Sequence, residues 1–164
     1  MRKRGVKVKH EWKNQEKEIY GVKTKPCVVD VSAQKYIIVS GNGNPNDEIF
    51  SDKVAALFSM AYKIKMAYKA LAEKSNEITD YTVYPLEGIW SMASEKEYLV
   101  KEELHKGAFD DEPASFEITD RYCMEHGYKR MGKEHREIYL NNANRTEKAN
   151  LKTILRYKVT DIEK

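Results

Sequence analysis

The chain has 164 residues, of which 34% are charged and 41% hydrophobic, and its formal net charge is only +3. This length fits one domain, or two small repeats that share one core. The balance of charge argues against nucleic-acid binding, which needs a concentrated excess of Lys and Arg. No apolar run approaches the roughly 20 residues that span a membrane, and no apolar signal segment follows the basic N-terminus. We therefore expect a cytoplasmic globular protein without a membrane anchor.

The N-terminal 25 residues are rich in Lys and Arg and are predicted to form a solvated basic arm, residues 1–25. Within this arm, Trp12, Ile19 and Tyr20 are the expected apolar anchors. Residues 26–164 are predicted to form the domain proper.

The domain begins with two short apolar segments, Pro26–Val31 and Lys35–Ser40, whose composition predicts strands. The turn that follows, residues 41–46, has the Gly and Asn residues that tight turns need. It lacks the glycine spacing and the lysine of a nucleotide-binding loop, so a nucleotide site is not expected there.

Two helices are predicted. The first runs from about Asp47 to about Glu73, because apolar residues recur there at helical spacing. They form one stripe, made of Leu57, Ala61, Ile64 and Tyr68. The second helix begins near Pro113 and ends near Gly127, a plausible C-terminal cap.

Three further segments have aromatic or β-branched residues at strand spacing: Tyr81–Trp90, His135–Leu140 and Leu151–Tyr157. Pro85 removes a backbone donor, so the first of them is expected to be an edge strand or to bulge. Helices and strands together predict an α+β protein.

Strand alternation decides which side chains share a face. In His135–Leu140, we expect Ile138 and Leu140 to face a helix-covered core, and His135, Glu137 and Tyr139 to face the other side. In Tyr81–Trp90, Glu87 shares a face with Val83, Pro85 and Ile89, and the opposite face carries Thr82, Tyr84, Leu86, Gly88 and Trp90.

A carboxylate among aromatic rings suits a flat or cationic organic molecule. The competing interpretation is that the rings are core and the glutamates are solvated. The candidate ligand-binding residues are Glu137, Tyr139, Trp90, Tyr68 and Tyr84, and the candidate catalytic residues are Glu137 and Glu87.

The two cysteines, Cys27 and Cys123, form no C-x-x-C pair or disulfide framework, and both are expected to be small buried hydrophobes. Cys123 and His126 have C-x-x-H spacing, but no second pair completes a zinc site. No metal site and no cofactor are predicted.

Six stretches spread over the chain jointly resemble the stand-alone bacterial members of the GyrI-like small-molecule-binding domains, which have a SOUL-like fold. The stretches are GNGNPND (Gly41–Asp47), AYKIKMAYK (Ala61–Lys69), YTVYPLEGIW (Tyr81–Trp90), DDEPASF (Asp110–Phe116), HREIYL (His135–Leu140), and RT with LKTILRY (Arg145–Thr146, Leu151–Tyr157).

The resemblance implies tandem β-α-β-β repeats with pseudo-twofold symmetry, an antiparallel sheet with two helices, and a ligand cleft between the repeats. In the drug-sensing members, a cleft glutamate and several tyrosines hold aromatic cations. Glu137 lies in the matching strand, and Tyr139, Trp90 and Tyr68 are carried over with it.

The resemblance implies three kinds of function. The first is binding of amphipathic or cationic aromatic molecules, as in multidrug binding, xenobiotic sequestration or resistance. The second is a detoxifying hydrolase that opens the strained cyclopropane ring of a DNA-alkylating natural product, with Glu137 or Glu87 activating water. The third is a protein-interaction module of the gyrase-inhibitor type.

The chain departs from the family between its first aromatic strand and its second helix, where relatives have a longer stretch than Ser91–Phe109. Either Glu97–Lys101 closes the first repeat as a short strand, or that repeat is truncated. A truncated repeat would leave a sheet edge that favours a homodimer.

Overall fold

The computed structural model describes residues 8–43, 47–72, 80–91, 112–142, 145–147 and 150–162. It contains helices and antiparallel sheets, which confirms the predicted α+β class. The described residues divide into two compact units. One takes the residues up to Gly21 together with Val29–Tyr84, and the other takes Val22–Val28 with the residues from Pro85 onward.

The first unit contains two short strands and three helices. These are β1 (Lys9–His10), α1 (Trp12–Gln15), α2 (Lys17–Tyr20), α3 (Glu48–Ala72) and β2 (Asp80–Tyr81). β1 pairs with β2 in parallel, and His10 lies opposite Tyr81. The anchors predicted for the N-terminal segment are confirmed at Trp12 and Tyr20, which are 4% and 5% exposed.

The long helix α3 matches its predicted span, but the predicted apolar stripe is wrong in part, since Ile64 and Tyr68 are 46% and 39% exposed. The helix instead turns Lys65 and Lys69 toward β2, where both ammonium groups approach the Asp80 carboxylate, at 3.5 and 3.7 Å. At this end of α3, attraction of Lys65 and Lys69 to Asp80 acts together with packing of Tyr68 against Tyr81 of β2.

The second unit contains a three-stranded and a two-stranded sheet. Its elements are β3 (Leu86–Trp90), α4 (Glu112–Glu125), β4 (Tyr128–Arg130), β5 (His135–Tyr139), β6 (Thr153–Arg156) and β7 (Val159–Asp161). The first sheet has the antiparallel order β3-β5-β6, and β4 pairs with β7, a ladder that the sequence did not indicate. Ile138, in the central strand, is fully buried, as predicted. The prediction that a helix covers its face is wrong for α4, because Phe116 of that helix packs against His135 on the opposite face of the sheet.

The predicted strand Tyr81–Trp90 is divided into β2 and β3 by residues 82–85, so the interruption expected at Pro85 is confirmed. The second helix is confirmed as α4, and Gly127 follows it with a φ of 77°, the left-handed conformation that a helix-ending glycine adopts.

Two predictions at the start of the domain are wrong. Pro26–Val31 and Lys35–Ser40 form no strand, because no neighbouring strand in the described part of the chain supplies hydrogen-bond partners, and Ile38 is 74% exposed. Cys27 lies in the first of these segments and is exposed, so only Cys123 is the buried cysteine that was expected.

Part of the turn at residues 41–46, and nearly all of Ser91–Phe109 including Glu97–Lys101, lie outside the described residues. Tandem repeats with pseudo-twofold symmetry therefore stay a prediction. Within the described ranges, no helix is both long enough and apolar enough to span a bilayer.

Candidate functional site

The register of the three-stranded sheet brings the predicted site residues of the second unit together. Gly88 on β3 lies opposite Glu137 on β5, and Trp90 lies opposite His135. Because alternate residues share a face, Trp90 is on the same side of the sheet as Glu137 and Tyr139. The alternation expected from the sequence therefore holds in the pairing of β3 with β5.

The Glu137 carboxylate is held by side chains on both of its oxygens. Its Oε1 lies 3.0 Å from Nε2 of His135, and its Oε2 accepts a hydrogen bond of 2.6 Å from the Tyr139 hydroxyl. The Trp90 Nε1–H donates in turn to the Tyr139 hydroxyl, at 3.2 Å. We call these four residues the Glu137 cluster.

Glu137 is only 6% exposed, and it is the buried charged residue of the described core. A buried carboxylate is stable only when hydrogen bonds or an opposite charge replace the lost water. His135 and Tyr139, which lie two residues before and two residues after Glu137 in the same strand, supply these contacts to its carboxylate. The H-x-E-x-Y spacing of β5 is what allows one strand to build it.

Gly88 allows the Trp90 ring to lie over the middle of the cluster. A Cβ atom at this position would stand 2.5 Å from Nε1 of Trp90 and 3.2 Å from the Tyr139 hydroxyl. No larger residue fits without moving the indole. The glycine between Glu87 and Ile89 is therefore the residue that permits the Trp90–Tyr139 contact.

Helix α4 supports the cluster through His135. The Phe116 ring meets the His135 ring edge-on, with centroids 5.0 Å apart, and also approaches Tyr157 at 6.1 Å. The Arg130 guanidinium lies over the Tyr157 ring at 4.5 Å. Sequence reasoning left His135 and Phe116 out of the site, although the i, i+2 spacing of His135 and Glu137 was a usable signal.

Tyr157 belongs to a second polar group beside α4. Its hydroxyl donates to Asp120 Oδ1 at 2.6 Å and lies 3.6 Å from the Cys123 sulfur. Burial raises the pKa of Tyr157 well above its ordinary value, and the hydrogen bond to Asp120 adds to the effect. Through this hydroxyl, Tyr157, the residue that follows β6, is joined to α4.

Glu87 lies on the other face of the sheet, away from Glu137. Its Oε2 is 3.0 Å from Nη1 of Arg136, and its side chain is 11% exposed. The two candidate catalytic carboxylates are therefore separated by the sheet, and Glu87 is held by an ion pair.

Tyr68 and Tyr84, the other predicted ligand residues, lie in the first unit. Tyr68 packs edge-on against Tyr81, with centroids 5.5 Å apart. The Tyr84 hydroxyl donates to the Glu16 carboxylate. The roles of Tyr68 and Tyr84 as cleft walls stay predictions.

The chemistry available to the Glu137 cluster is that of a desolvated anion flanked by two rings. Such an anion can balance a cationic guest, and its oxygens can also accept a proton from an activated water. No group of three His, Cys, Asp or Glu side chains in the described ranges is arranged to hold a metal ion. The roles of Glu137, Tyr139 and Trp90 in ligand binding stay a prediction at this point.

Part of the chain matches a known protein family. Residues 104–158, which contain α4, β4, β5 and β6, match the GyrI-like family, described as a GyrI-like small molecule binding domain. The predicted resemblance to this family is confirmed over that segment. Among curated proteins, no relative matches the chain.

Solved structures from Listeria innocua share the fold. A hydrolase is 22% identical and has a TM-score of 0.65, covering 94% of this chain and 100% of its own. An uncharacterized conserved protein is also 22% identical, with a TM-score of 0.64 and coverage of 92% and 100%. A further hydrolase has 21% identity and a TM-score of 0.61, covering 92% of this chain and 100% of its own.

Proposed function

We propose that the protein binds small cationic aromatic molecules through the Glu137 cluster, as a means of sequestering xenobiotics. The observation that carries the proposal is the buried carboxylate of Glu137, hydrogen-bonded on both oxygens and lying on the Trp90 face of the sheet. The surrounding segment matches a small-molecule-binding family.

The expected strength of binding follows from the same groups. A cation over an aromatic ring gains about 0.5–2 kcal/mol, and more when water is excluded. Two rings and a desolvated carboxylate are enough for affinity in the micromolar range, roughly −8 kcal/mol. A neutral guest of the same shape loses the contribution of the carboxylate and should bind more weakly.

The test is calorimetric titration with N-methylpyridinium and with a panel of larger aromatic cations. Glu137→Gln keeps the shape of the side chain but removes its charge and replaces one acceptor oxygen by an NH2 donor, and we expect affinity to fall by about tenfold or more. Glu117→Gln, at an exposed position of α4, is the matched control and should bind as wild type does.

Equal affinity of wild type and Glu137→Gln for every cation would overturn the proposal. Absence of any binding by the wild type would do so too, and would favour the alternative of a protein-interaction module, in which surfaces outside the site act on a partner. Circular dichroism of both variants shows that they remain folded.

A second candidate function is hydrolysis of a strained ring, favoured by the hydroxyl and imidazole beside Glu137 and by the hydrolases among the structures that share the fold. Glu137 would accept a proton from water as the water oxygen bonds to a ring carbon. The C–C bond to that carbon breaks, and its electron pair stays with the substrate, which takes up the proton.

Product analysis by mass spectrometry separates the two functions. A hydrolase adds the mass of one water to a cyclopropane-bearing alkylator, and the added mass disappears in Glu137→Gln. Glu87→Gln decides between the two carboxylates: loss of product in that variant alone would assign water activation to Glu87. Bound but unchanged compound in the wild type leaves simple binding as the function.

Several broader features belong to the same proposal. We place the protein in the cytoplasm, an assignment supported by its two free cysteines. Residues 26–164 are taken as the ligand-binding domain with tandem repeats, and pairing of the sheet edge that a truncated first repeat would leave is the proposed route to a homodimer. Sedimentation at several concentrations tests the dimer directly.

A further inference from the structure

The first unit contains a second carboxylate surrounded by aromatic rings. The segment that forms α1 and α2 packs against the residues after β2. This brings together five side chains that we call the Glu16 cluster: His10, Trp12, Glu16, Tyr20 and Tyr84. The Trp12 Nε1–H donates to the carbonyl of Val83 at 3.0 Å, which fixes the indole against the segment between β2 and β3 that carries Tyr84.

The Glu16 carboxylate has the same kinds of partners as Glu137. Its Oε1 lies 2.7 Å from Nε2 of His10 and also accepts a hydrogen bond from the Tyr84 hydroxyl. Nε2 of His10 also lies 3.1 Å from the hydroxyl oxygen of Tyr84. Both clusters thus contain one glutamate, one histidine bonded through Nε2, and one tyrosine hydroxyl that donates to the carboxylate.

The two clusters differ in their exposure. The Glu16 side chain is 19% exposed and that of His10 is 27% exposed, whereas Glu137 is nearly closed off. Tyr84 is 37% exposed and forms the open side, while Trp12 and Tyr20 are buried behind it. A guest can therefore reach the carboxylate of Glu16 without any change in the described contacts.

The rings of the Glu16 cluster already attract a cation. Tyr20 meets Trp12 and Tyr84 edge-on at 5.3 and 5.7 Å, and Trp12 and Tyr84 are stacked at 6.5 Å. The ammonium group of Lys13 lies 5.2 Å from the centre of the Trp12 ring. A positive charge supplied by the chain itself thus occupies the kind of position that an organic cation would take.

We propose that the Glu16 cluster is a second binding site for small organic cations, separate from the Glu137 cluster. The first unit and the second unit then each carry one Glu–His–Tyr–Trp set. The predicted ligand role of Tyr84 belongs to this second carboxylate. The proposal uses the chemistry of the proposed function but concerns different residues, so each can fail alone.

The chain offers an internal reporter for each site, because its two tryptophans, Trp12 and Trp90, are divided between the clusters. Trp90→Phe leaves Trp12 as the fluorophore of the Glu16 cluster, and Trp12→Phe leaves Trp90 for the other. N-methylpyridinium is the probe, since it is an aromatic cation that quenches indole at short range. Acrylamide is the neutral quencher for comparison.

In Trp90→Phe, we expect N-methylpyridinium to quench Trp12 along a saturating curve, and we expect Glu16→Gln in that background to raise the midpoint about tenfold. Lys13→Gln should lower the midpoint a few-fold, because it removes the competing ammonium group. Acrylamide should quench weakly and without saturation in each of these variants.

Calorimetry of the full wild-type chain gives an independent result. Two bound cations per chain are expected, with one lost in Glu16→Gln and the other lost in Glu137→Gln. Loss in Glu137→Gln alone supports the proposed function and overturns the second site. Loss of a bound cation in Glu16→Gln alone supports the second site and overturns the proposed function. Quenching of Trp12 that does not saturate would overturn the second site and leave the Glu16 cluster with a structural role.

Discussion

Gly88 shows how a single residue without a side chain sets the geometry of the candidate site. The indole of Trp90 occupies the space where a Cβ would lie, and its Nε1–H reaches the Tyr139 hydroxyl from there. The Trp90–Tyr139 contact beside the candidate carboxylate thus depends on a residue that bears no functional group of its own.

Gly88→Ala is expected to push the indole off Tyr139 and to lower the free energy of unfolding by about 1–3 kcal/mol, the usual cost of overpacking. Urea unfolding measures this cost, and the indole N–H resonance of Trp90 reports the lost hydrogen bond. Ile89→Ala, at an exposed position of the same strand, is the control and should leave that resonance in place.

Two tyrosines hold their protons more tightly than usual. Burial raises the pKa of Tyr84 and of Tyr157 above the ordinary value of 10.0, and hydrogen bonds to Glu16 and Asp120 act in the same direction. A group whose pKa is raised by folding contributes its full stability below its unfolded pKa. This stability is lost as pH rises from there through the higher pKa of the folded state.

We therefore expect the protein to lose stability above pH 10.0, and Tyr84→Phe and Tyr157→Phe to lose less of it over that range. Phenolate absorbance during alkaline titration should show late-titrating groups that these variants lack. Tyr62→Phe, at an exposed position of α3, serves as the control. Identical alkaline melting of all four proteins would contradict the prediction.

At the scale of elements, α3 is tied to β2 by charge. Burial alone would raise the pKa of Asp80, but the backbone N–H of Tyr81 and the ammonium groups of Lys65 and Lys69 more than offset this, so the pKa lies below its ordinary value of 3.8. A carboxyl group whose pKa is lowered by folding stabilises the protein above its unfolded pKa. This stability is lost as pH falls through the lower pKa of the folded state.

Asp80→Asn should lower the melting temperature at neutral pH, where the carboxylate is ionised in the wild type. The gap between the two proteins should close as pH falls below about 3.8, because protonation then removes the same attraction. Thermal melts over an acidic pH series provide the measurement. A gap that stays constant with pH would show that the ion pairs have no part in it.

At the scale of the whole molecule, the net charge of +3 cannot draw cations toward the surface. Affinity for an organic cation must come from the local carboxylates. Glu137 is buried, and interactions of buried charges are screened far less than those between exposed charges.

Raising the salt concentration from about 50 to about 300 mM should therefore change the Kd of the Glu137 cluster for N-methylpyridinium by less than about twofold. Titration of Trp12→Phe at the two salt concentrations checks this. A many-fold weakening would show that exposed charges, and not the buried carboxylate, provide the attraction.

The sequence by itself determined one helix of each unit and the faces of the central strand. Apolar periodicity predicts α3, Pro113 and Gly127 mark the ends of α4, and the alternation of residues 135–140 separates Ile138 from Glu137 and Tyr139, as the pairing of β3 with β5 shows. These features depend on local spacing along one element, which the order of residues specifies directly. The resemblance to the GyrI-like family rested on the same local stretches.

Tertiary structure alone decided what each candidate residue touches. Glu87 and Glu137 look equivalent along the chain, yet register pairs one with Arg136 and the other with His135 and Tyr139. Tyr84 bonds to Glu16, which lies 68 residues away. Pro26–Val31 and Lys35–Ser40 have strand composition but form no strand, because a strand exists only where another segment completes its hydrogen bonds.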